Sequence, residues 1–235
     1  MKRTIERRFT CPVVHVPNFA PDENPQGSLW EPGDYYLFVG VHEAHKGILE
    51  LASATAIQRS GHSIMFVGLG RYERRLRTME RDSPSKMEIR GWAGPEVLSR
   101  LYRRARGLIV PSLAHENSPL AAIEALSWGT PLLVSNRGGL EELIRGGDAG
   151  VSFEPDASEI ATAIMSFEDS GFPHKLREKA RWTYETHHHP RKYLERYMAL
   201  TEVEGKSYQQ EVSQEAARSG LHSHEMASYQ GVGPD

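Results

Sequence analysis

Residues 107–135, GLIVPSLAHENSPLAAIEALSWGTPLLVS, place a segment with helical spacing between two short apolar runs. The runs at 107–112 and 131–135 are too short for helices and are apolar on both faces, as strands buried in a parallel sheet are. The segment between them, 119–128, is predicted to be a helix. A strand–helix–strand unit of this kind has a right-handed crossover and belongs to a sheet that is covered by helices.

The same alternation continues on both sides of this unit. We also predict strands at 35–40, 63–68, 87–91 and 150–153, and helices at 46–59, 71–81, 95–104 and 140–144. A further helix should begin after Asp156, because Asp156 and Glu159 have the spacing of a capping box. The sequence therefore predicts an α/β fold with a doubly wound, Rossmann-like parallel sheet.

The two ends of the chain differ from its middle. Residues 1–34 contain a basic helix-like segment, a short predicted strand at 13–16 and a Pro- and Gly-rich stretch typical of a linker. Residues 35–171 form the predicted sheet domain, and residues 172–204 form C-terminal helices that break at Pro190. Residues 205–235 have few large apolar side chains, which predicts disorder.

The composition excludes several classes of protein. With 28 Lys and Arg against 31 Asp and Glu, the formal net charge is −3, which argues against nucleic-acid binding by the whole molecule. No run approaches the roughly 18 apolar residues of a membrane span, and residues 1–11 lack the apolar centre of a signal peptide. The one cysteine, Cys11, cannot form an intramolecular disulfide, so we expect a cytoplasmic protein.

Two glutamates follow the strand predicted at 107–112. Glu116 lies in the loop and Glu124 lies inside the next helix, which we expect Ser118 to cap and Pro119 to begin. Ligands of parallel sheets bind beyond the carboxyl ends of the strands, and helix N-termini attract phosphate. Carboxylates before and within such a helix end can bind sugar hydroxyls on either side of a diphosphate. The alternative is a solvated loop acid and a surface helix acid.

Five motifs, by their order and spacing, resemble those of the retaining group 1 glycosyltransferases, a family with the GT-B fold. They are VVHVPN, LFVGVHEAHKGI, FVGLGRYERRL, MEIRGWAGPEVLSRLYRRARGLIVPS and the segment around Glu116-x7-Glu124. The resemblance covers residues 13–164. It implies that the chain is similar to the C-terminal, donor-binding half of an enzyme that transfers a hexose, with retention, from a nucleotide-diphosphate sugar in carbohydrate biosynthesis.

The resemblance also implies roles for single residues. Glu116 would place the transferred sugar and Lys46 would neutralise phosphate on the leaving group, so these two are the catalytic candidates. Glu124 would bind the ribose, and Trp92, with Arg90, would lie near the base. The donor-binding candidates are Gly40, His45, Gly68, Gly70, Trp92, Asn117, Ser118, Pro119, Leu120 and Glu124. We expect no cofactor and no obligatory metal ion, because the sequence has no Asp-x-Asp pair.

The first loop departs from the family's pattern. Members commonly carry an arginine just after the glycine or just before the lysine of this loop, where this chain has Val41 and His45. A protonated His45 would supply the missing cation, although without the permanent charge and forked geometry of arginine. A non-catalytic module that binds a nucleotide-sugar is therefore an alternative. The Glu116 and Glu124 signature argues against a third possibility, a nucleotide-sugar epimerase.

Other polar clusters are weaker candidates. A metal site at His187, His188 and His189, or at His222 and His224, would lack a nearby set of cysteines or carboxylates. Two predicted helices and their flanks carry arginines that could contact a membrane surface or an anionic partner, although such spacing is more often a solvated face. These are Arg71, Arg74, Arg75, Arg77, Arg81, Arg100, Arg103, Arg104 and Arg106.

The resemblance finally implies a missing partner. GT-B enzymes work in a cleft between two similar domains, and the N-terminal one holds most of the acceptor. Only 34 residues precede the first predicted core strand. We therefore expect a fragment or one subunit of a split enzyme that needs an acceptor-binding domain or subunit. The helix after Pro190 would pack on that domain and would otherwise expose apolar side chains, namely Tyr193, Tyr197, Met198 and Leu200.

Overall fold

Six parallel strands form the centre of the computed structural model. The structure describes residues 14–29, 32–83, 86–145, 148–169 and 174–200. The strands are β1 (Tyr35–Val39), β2 (Ser63–Val67), β3 (Met87–Arg90), β4 (Leu108–Val110), β5 (Leu132–Ser135) and β6 (Gly150–Phe153). Each lies within one of the predicted runs, and the predicted α/β fold is confirmed.

The strands lie in the order β3-β2-β1-β4-β5-β6. The chain winds from β1 out to β3, returns to the centre, and winds in the other direction from β4 to β6. In this register Leu37 of β1 is opposite Met65 of β2 on one side and Leu108 of β4 on the other. The reversal between β1 and β4 places the carboxyl ends of these two strands side by side.

Helices connect the strands and cover the sheet. They are α1 (Ile48–Ile57), α2 (Glu73–Asp82), α3 (Pro95–Arg104), α4 (Leu120–Ser127), α5 (Leu140–Arg145), α6 (Ala157–Asp169), α7 (His174–Thr183) and α8 (190–200). A 3-10 turn, Ala44–Lys46, precedes α1, and a π-helical turn, Tyr184–His188, follows α7. Asp156 caps α6 as predicted, because its Oδ1 accepts hydrogen bonds of 3.0 Å from the main-chain nitrogens of Ser158 and Glu159.

Two apolar layers pack on the opposite faces of the sheet. Alternate strand residues point to opposite sides, so that Leu37 belongs to one layer while Tyr36 and Phe38 belong to the other. The layer of Leu37 is closed by α3, α4, α5 and α7, and the layer of Phe38 by α1, α2 and α6. Burial on both faces explains why the strands are continuous apolar runs.

The strand predicted at 13–16 is wrong for its described residues. Residues 14–16 form no strand, and Val13 lies outside the described residues. Segment 14–29 runs along α7 and the π-helical turn instead: the Tyr184 hydroxyl donates to the Ala20 carbonyl at 2.9 Å, and His188 Nδ1 lies 2.9 Å from the Asn18 carbonyl oxygen. Its main chain is thus held by side chains and not by a ladder.

Several helix boundaries also differ from the prediction by one or two residues, and three of them have a clear cause. Helix α4 begins at Leu120, because Pro119 is still extended with ψ of 130°, and Ser118 does not cap it. Helix α1 begins at Ile48, after a turn at Gly47 in the left-handed region. The break in the C-terminal helices lies at His189, and Pro190 is the first residue of α8, where its missing N–H costs no hydrogen bond.

The chain divides into two units, residues 1–193 and residues 194–235. Of the second unit only residues 194–200 are described, and Leu194, Tyr197 and Met198 are at least half exposed there. The basic segment at the N-terminus and the predicted disorder at 205–235 lie outside the described residues. None of the helices in the described part of the chain combines the length and the apolar character that a bilayer crossing requires.

An ion pair between Arg181 and Asp22 fixes segment 14–29 to α7. The Arg181 guanidinium donates to both oxygens of Asp22, at 2.8 and 2.9 Å, and to the Ser127 carbonyl at 2.6 Å. The side chains of Arg181 and Asp22 are only 8% and 15% exposed. Burial by itself raises the pKa of Asp22, but the hydrogen bonds from Arg181 and from the Asn24 main chain, together with the positive charge of Arg181, outweigh it, and the pKa lies below its usual value of 3.8.

We therefore predict that Asp22→Asn lowers the free energy of unfolding by about 2 kcal/mol at neutral pH, because it leaves a buried guanidinium with one charged partner fewer. The loss should shrink as the pH falls through the lowered pKa of Asp22, since the carboxyl of the native protein is then protonated too. Urea unfolding measures both effects. The control is Lys179→Gln, whose partner Asp148 is 81% exposed; an equal loss in both variants contradicts the prediction.

Candidate active site

The carboxyl ends of β1 and β4 meet where the winding of the sheet reverses, which is where ligands of doubly wound sheets bind. The β1 loop (residues 40–47) and the β4 loop (residues 111–119) lie at this point. Each loop contributes one of the two catalytic candidates, Lys46 and Glu116.

Lys46 and Glu116 form an ion pair across the two loops. Lys46 Nζ donates to Glu116 Oε1 at 2.6 Å, and Ser112 Oγ donates to the same oxygen at 2.9 Å. The side chains are 28% and 16% exposed, so both remain open to a ligand. Burial raises the pKa of Glu116, but the hydrogen bonds from Lys46 and Ser112 outweigh it, and the net shift is downward. Glu116 is therefore a carboxylate near neutral pH.

Main-chain contacts hold the two loops together. The nitrogens of Leu113 and Ala114 donate to the His45 carbonyl at 2.9 and 3.2 Å. Gly47 has φ of +68°, and a Cβ at this position would collide with the Pro111 carbonyl. The main-chain nitrogen of Gly139, after β5, donates to the Glu116 carbonyl at 2.6 Å. The main chain on either side of the ion pair is thus held by contacts among the loops that follow three strands, β1, β4 and β5.

The predicted glycines Gly40, Gly68 and Gly70 lie where the β1 loop meets the loop after β2. Gly68 has φ of +143°, and side chains at Gly68 or Gly70 would collide with the main chain of Gly40 or His42. These glycines thus let the loop after β2 pack against the β1 loop. Their contact with the donor stays a prediction.

The N-terminus of α4 opens beside a cavity of about 220 Å³, the linker cavity. Leu120 is exposed, and Ser118 Oγ is buried without a hydrogen-bond partner in the described part of the chain. The linker cavity is lined by His15, Pro17, Asn117, Ser118, Gly139, Glu142, Leu143, His187 and His188. Asn117 and Ser118 thus lie just before the N-terminus of α4, and Pro119 is its N-cap residue.

Glu124 lines a different cavity, of about 170 Å³, which we call the acidic cavity. The Tyr102 hydroxyl donates to Glu124 Oε2 at 2.9 Å. The acidic cavity is lined by Pro21, Glu23, Pro95, Leu98, Ser99, Tyr102, Glu124, Ser127 and Trp128. Glu124 is half-buried, unlike the surface acid of the alternative interpretation.

The remaining candidates, Trp92 and His45, have exposed side chains. Trp92, in the loop after β3, is 75% exposed, and Arg90 before it pairs with Glu88 at 2.6 Å. The His45 side chain is exposed next to Lys46. Trp92 therefore has open space around its ring, as a surface for a base would need.

Two residues at the site were missed by the sequence analysis. Ser112 is fully buried and its hydroxyl contacts both Glu116 Oε1 and the His45 carbonyl. His42 is fully buried, neither ring nitrogen has a hydrogen-bond partner among the described residues, and burial lowers its pKa. The Pro-Ser pair that ends the strand at 107–112 could have indicated Ser112, whereas no pattern marks His42 as buried.

The other polar clusters take local partners. Among the described residues no group of three or more potential metal ligands comes together, and His222 and His224 lie outside them. His188 contacts the Asn18 carbonyl, as described above. Three of the candidate arginines form ion pairs, Arg71 with Glu43, Arg77 with Glu73 and Arg106 with Glu168. The pairs of Arg71 and Arg77 are consistent with a solvated face, whereas Arg106 and Glu168 are only 14% and 17% exposed and form a largely buried pair.

Comparison with known proteins identifies relatives that are longer than this chain. Glycogen synthase of Mycobacterium tuberculosis is 32% identical over 151 residues, which cover 62% of this chain and 36% of the synthase. Lipopolysaccharide 1,2-N-acetylglucosaminetransferase of Salmonella typhimurium is 27% identical over 206 residues, or 77% of this chain and 54% of that enzyme. The chain thus spans between about a third and about half of these relatives.

Solved structures share the fold. The lipopolysaccharide outer core galactosyltransferase WaaB, in its apo form, matches with a TM-score of 0.70 at 17% identity, over 86% of this chain and 59% of that one. The Anabaena protein HepE in complex with UDP matches with a TM-score of 0.63 at 18% identity, over 72% of this chain and 49% of that one. The model of the family "Glycosyl transferases group 1" matches residues 21–183. Because this match covers more than half of its length, the chain belongs to the group 1 glycosyltransferases.

Proposed function

We propose that the chain is the donor-binding part of a retaining glycosyltransferase. It would bind a nucleotide-diphosphate sugar and transfer the sugar to an acceptor held by an N-terminal domain or a separate subunit. The observation that carries the proposal is the Lys46–Glu116 ion pair, which lies at the switch point of the sheet in a chain of this family. The Glu116-x7-Glu124 signature supports retention.

Lys46 would exchange partners when the donor binds. In the free protein its ammonium group is paired with Glu116 at 2.6 Å, and its side chain keeps more than a quarter of its surface exposed. A diphosphate carries more negative charge than one carboxylate and would draw Lys46 toward it. Glu116 would then be free to accept hydrogen bonds from the hydroxyls of the transferred sugar.

The N-terminus of α4 would supply the second part of the phosphate site. Its first main-chain N–H groups have no partner within the helix and carry the positive end of the helix dipole. Together with Lys46 they would stabilise the departing nucleoside diphosphate while positive charge develops on the sugar. This is why we propose a reaction without a cofactor or an obligatory metal ion.

Several observations bear on the wider setting of this activity. The relatives are two to three times longer than the part of them that this chain covers, which supports an acceptor-binding partner outside it. HepE is a solved neighbour in complex with UDP, which supports a nucleotide-sugar donor. The single cysteine supports a cytoplasmic location.

A second candidate is a module that binds a nucleotide-sugar without transferring the sugar. The observation in its favour is the loop that carries Val41 and His45, where the family has arginine. Val41 is 50% exposed and uncharged, so it contributes no cation to the phosphate site. Sugar transfer by the chain together with an acceptor-binding partner would rule this candidate out.

The function is tested by replacing Lys46. Calorimetric titration of the intact chain with UDP, GDP and ADP, in buffer with EDTA, should show saturable binding of one nucleotide. Lys46→Gln should weaken that binding about tenfold or more, because it removes a charged contact to the diphosphate. Lys179→Gln, at an exposed ion pair on α7, is the matched control. Failure of all three nucleotides to bind, or equal affinity of wild type and Lys46→Gln, contradicts the proposal.

The role of His45 is tested by replacing it. His45 is exposed next to Lys46, and only a charged side chain at this position can replace the missing arginine. His45→Gln should therefore weaken the binding of the nucleoside diphosphate, measured by the same titration with Lys179→Gln as the control. Equal affinity of the wild type and His45→Gln would show that His45 is no part of the phosphate site.

A further inference from the structure

Glu124 accepts a hydrogen bond from a buried tyrosine. Tyr102 on α3 is 2% exposed, and its hydroxyl donates to one oxygen of Glu124, at 2.9 Å. Thr130 Oγ1 donates to the main-chain carbonyl of Tyr102 at 2.6 Å. The tyrosine is therefore fixed at both ends, and its ring is closed in by the apolar layer of α3 and α4.

The acidic cavity above this pair suits hydroxyl groups. Glu23 and Glu124 both line it, Ser99 and Tyr102 add hydroxyls, and none of the described residues that line it is basic. Carboxylate oxygens repel phosphate and accept hydrogen bonds from O–H groups. Apolar walls from Leu98 and Trp128 would pack against the carbon skeleton of a sugar ring. The acidic cavity therefore fits the neutral, hydroxyl-rich part of a nucleotide and not its diphosphate.

We propose that Tyr102 is a positioning residue for the ribose of the donor. Its hydroxyl fixes one oxygen of the Glu124 carboxylate, so that the other oxygen faces the ribose hydroxyls in the acidic cavity. The inference rests on the proposed function, because it concerns the same nucleotide-sugar site. In this proposal Tyr102 does not contact the nucleotide; it sets the orientation of Glu124, which does.

The charge state of Tyr102 is consistent with this role. Burial raises the pKa of Tyr102 well above its usual value, and the negative charge of Glu124 raises it further. The phenol thus stays protonated near neutral pH and remains a donor. Without it, the carboxylate of Glu124 could rotate and pair with water, and the ribose would have to reorient it on binding.

The test separates orientation from stability. Tyr102→Phe removes the hydroxyl and keeps the ring. Tyr184→Phe is the matched control, because Tyr184 is equally buried and donates to a main-chain carbonyl, that of Ala20. Each variant is titrated, as the intact chain, with three probes: the tightest binder among UDP, GDP and ADP, its 2′-deoxy form, and inorganic pyrophosphate. Glu124→Ala serves as the reference for complete loss of the ribose contact.

In the wild type the ribonucleotide should bind about tenfold more tightly than its 2′-deoxy form. Tyr102→Phe should reduce this ratio about fivefold and leave pyrophosphate binding unchanged, whereas Tyr184→Phe should keep the ratio of the wild type. When Tyr102→Phe is combined with Glu124→Ala, it should have no further effect on the ratio. An unchanged ratio in Tyr102→Phe, or an equal loss for all three probes, overturns the inference while leaving the function intact. No nucleotide binding by the wild type overturns both.

Discussion

The structure depends on the close approach of two loops at the carboxyl ends of β1 and β4. Gly47 packs directly on the Pro111 carbonyl, and the His45 carbonyl accepts hydrogen bonds from the other loop. The reversal of the sheet brings these strands together, but only a glycine with positive φ lets the loops touch. The 2.6 Å distance between Lys46 and Glu116 follows from this approach.

The candidate site has one region with positive groups and a separate region with negative groups. Lys46 and the N-terminus of α4 offer positive potential beside the switch point, whereas Glu23 and Glu124 line a cavity without basic groups among its described residues. A nucleotide-diphosphate sugar has the same division between phosphates and hydroxyl-bearing rings. In the proposed orientation of the donor, the phosphates face the cations and the ribose faces the acids.

Sequence alone predicted the six strands because strands buried on both faces are continuous apolar runs, and it predicted the loops that form the site because such loops follow strand ends. It misplaced the start of α4 by one residue. Ser118-Pro119 is a common helix start, but Pro119 is extended here, so the helix begins at Leu120. It also missed Ser112 and could not pair Tyr102 with Glu124, because both contacts depend on tertiary packing that no local pattern records. The roles assigned to the site residues stay predictions.

On donor binding, Lys46 is proposed to leave Glu116 for the diphosphate. Carbon-detected NMR of the Glu116 carboxyl group during a pH titration, with and without the nucleoside diphosphate that binds, tests it most directly. In the free chain the hydrogen bonds from Lys46 and Ser112 hold the pKa of Glu116 low. We predict that this pKa rises when the nucleotide is bound, because Lys46 is withdrawn and negative charge is added. A pKa that stays the same or falls would contradict it.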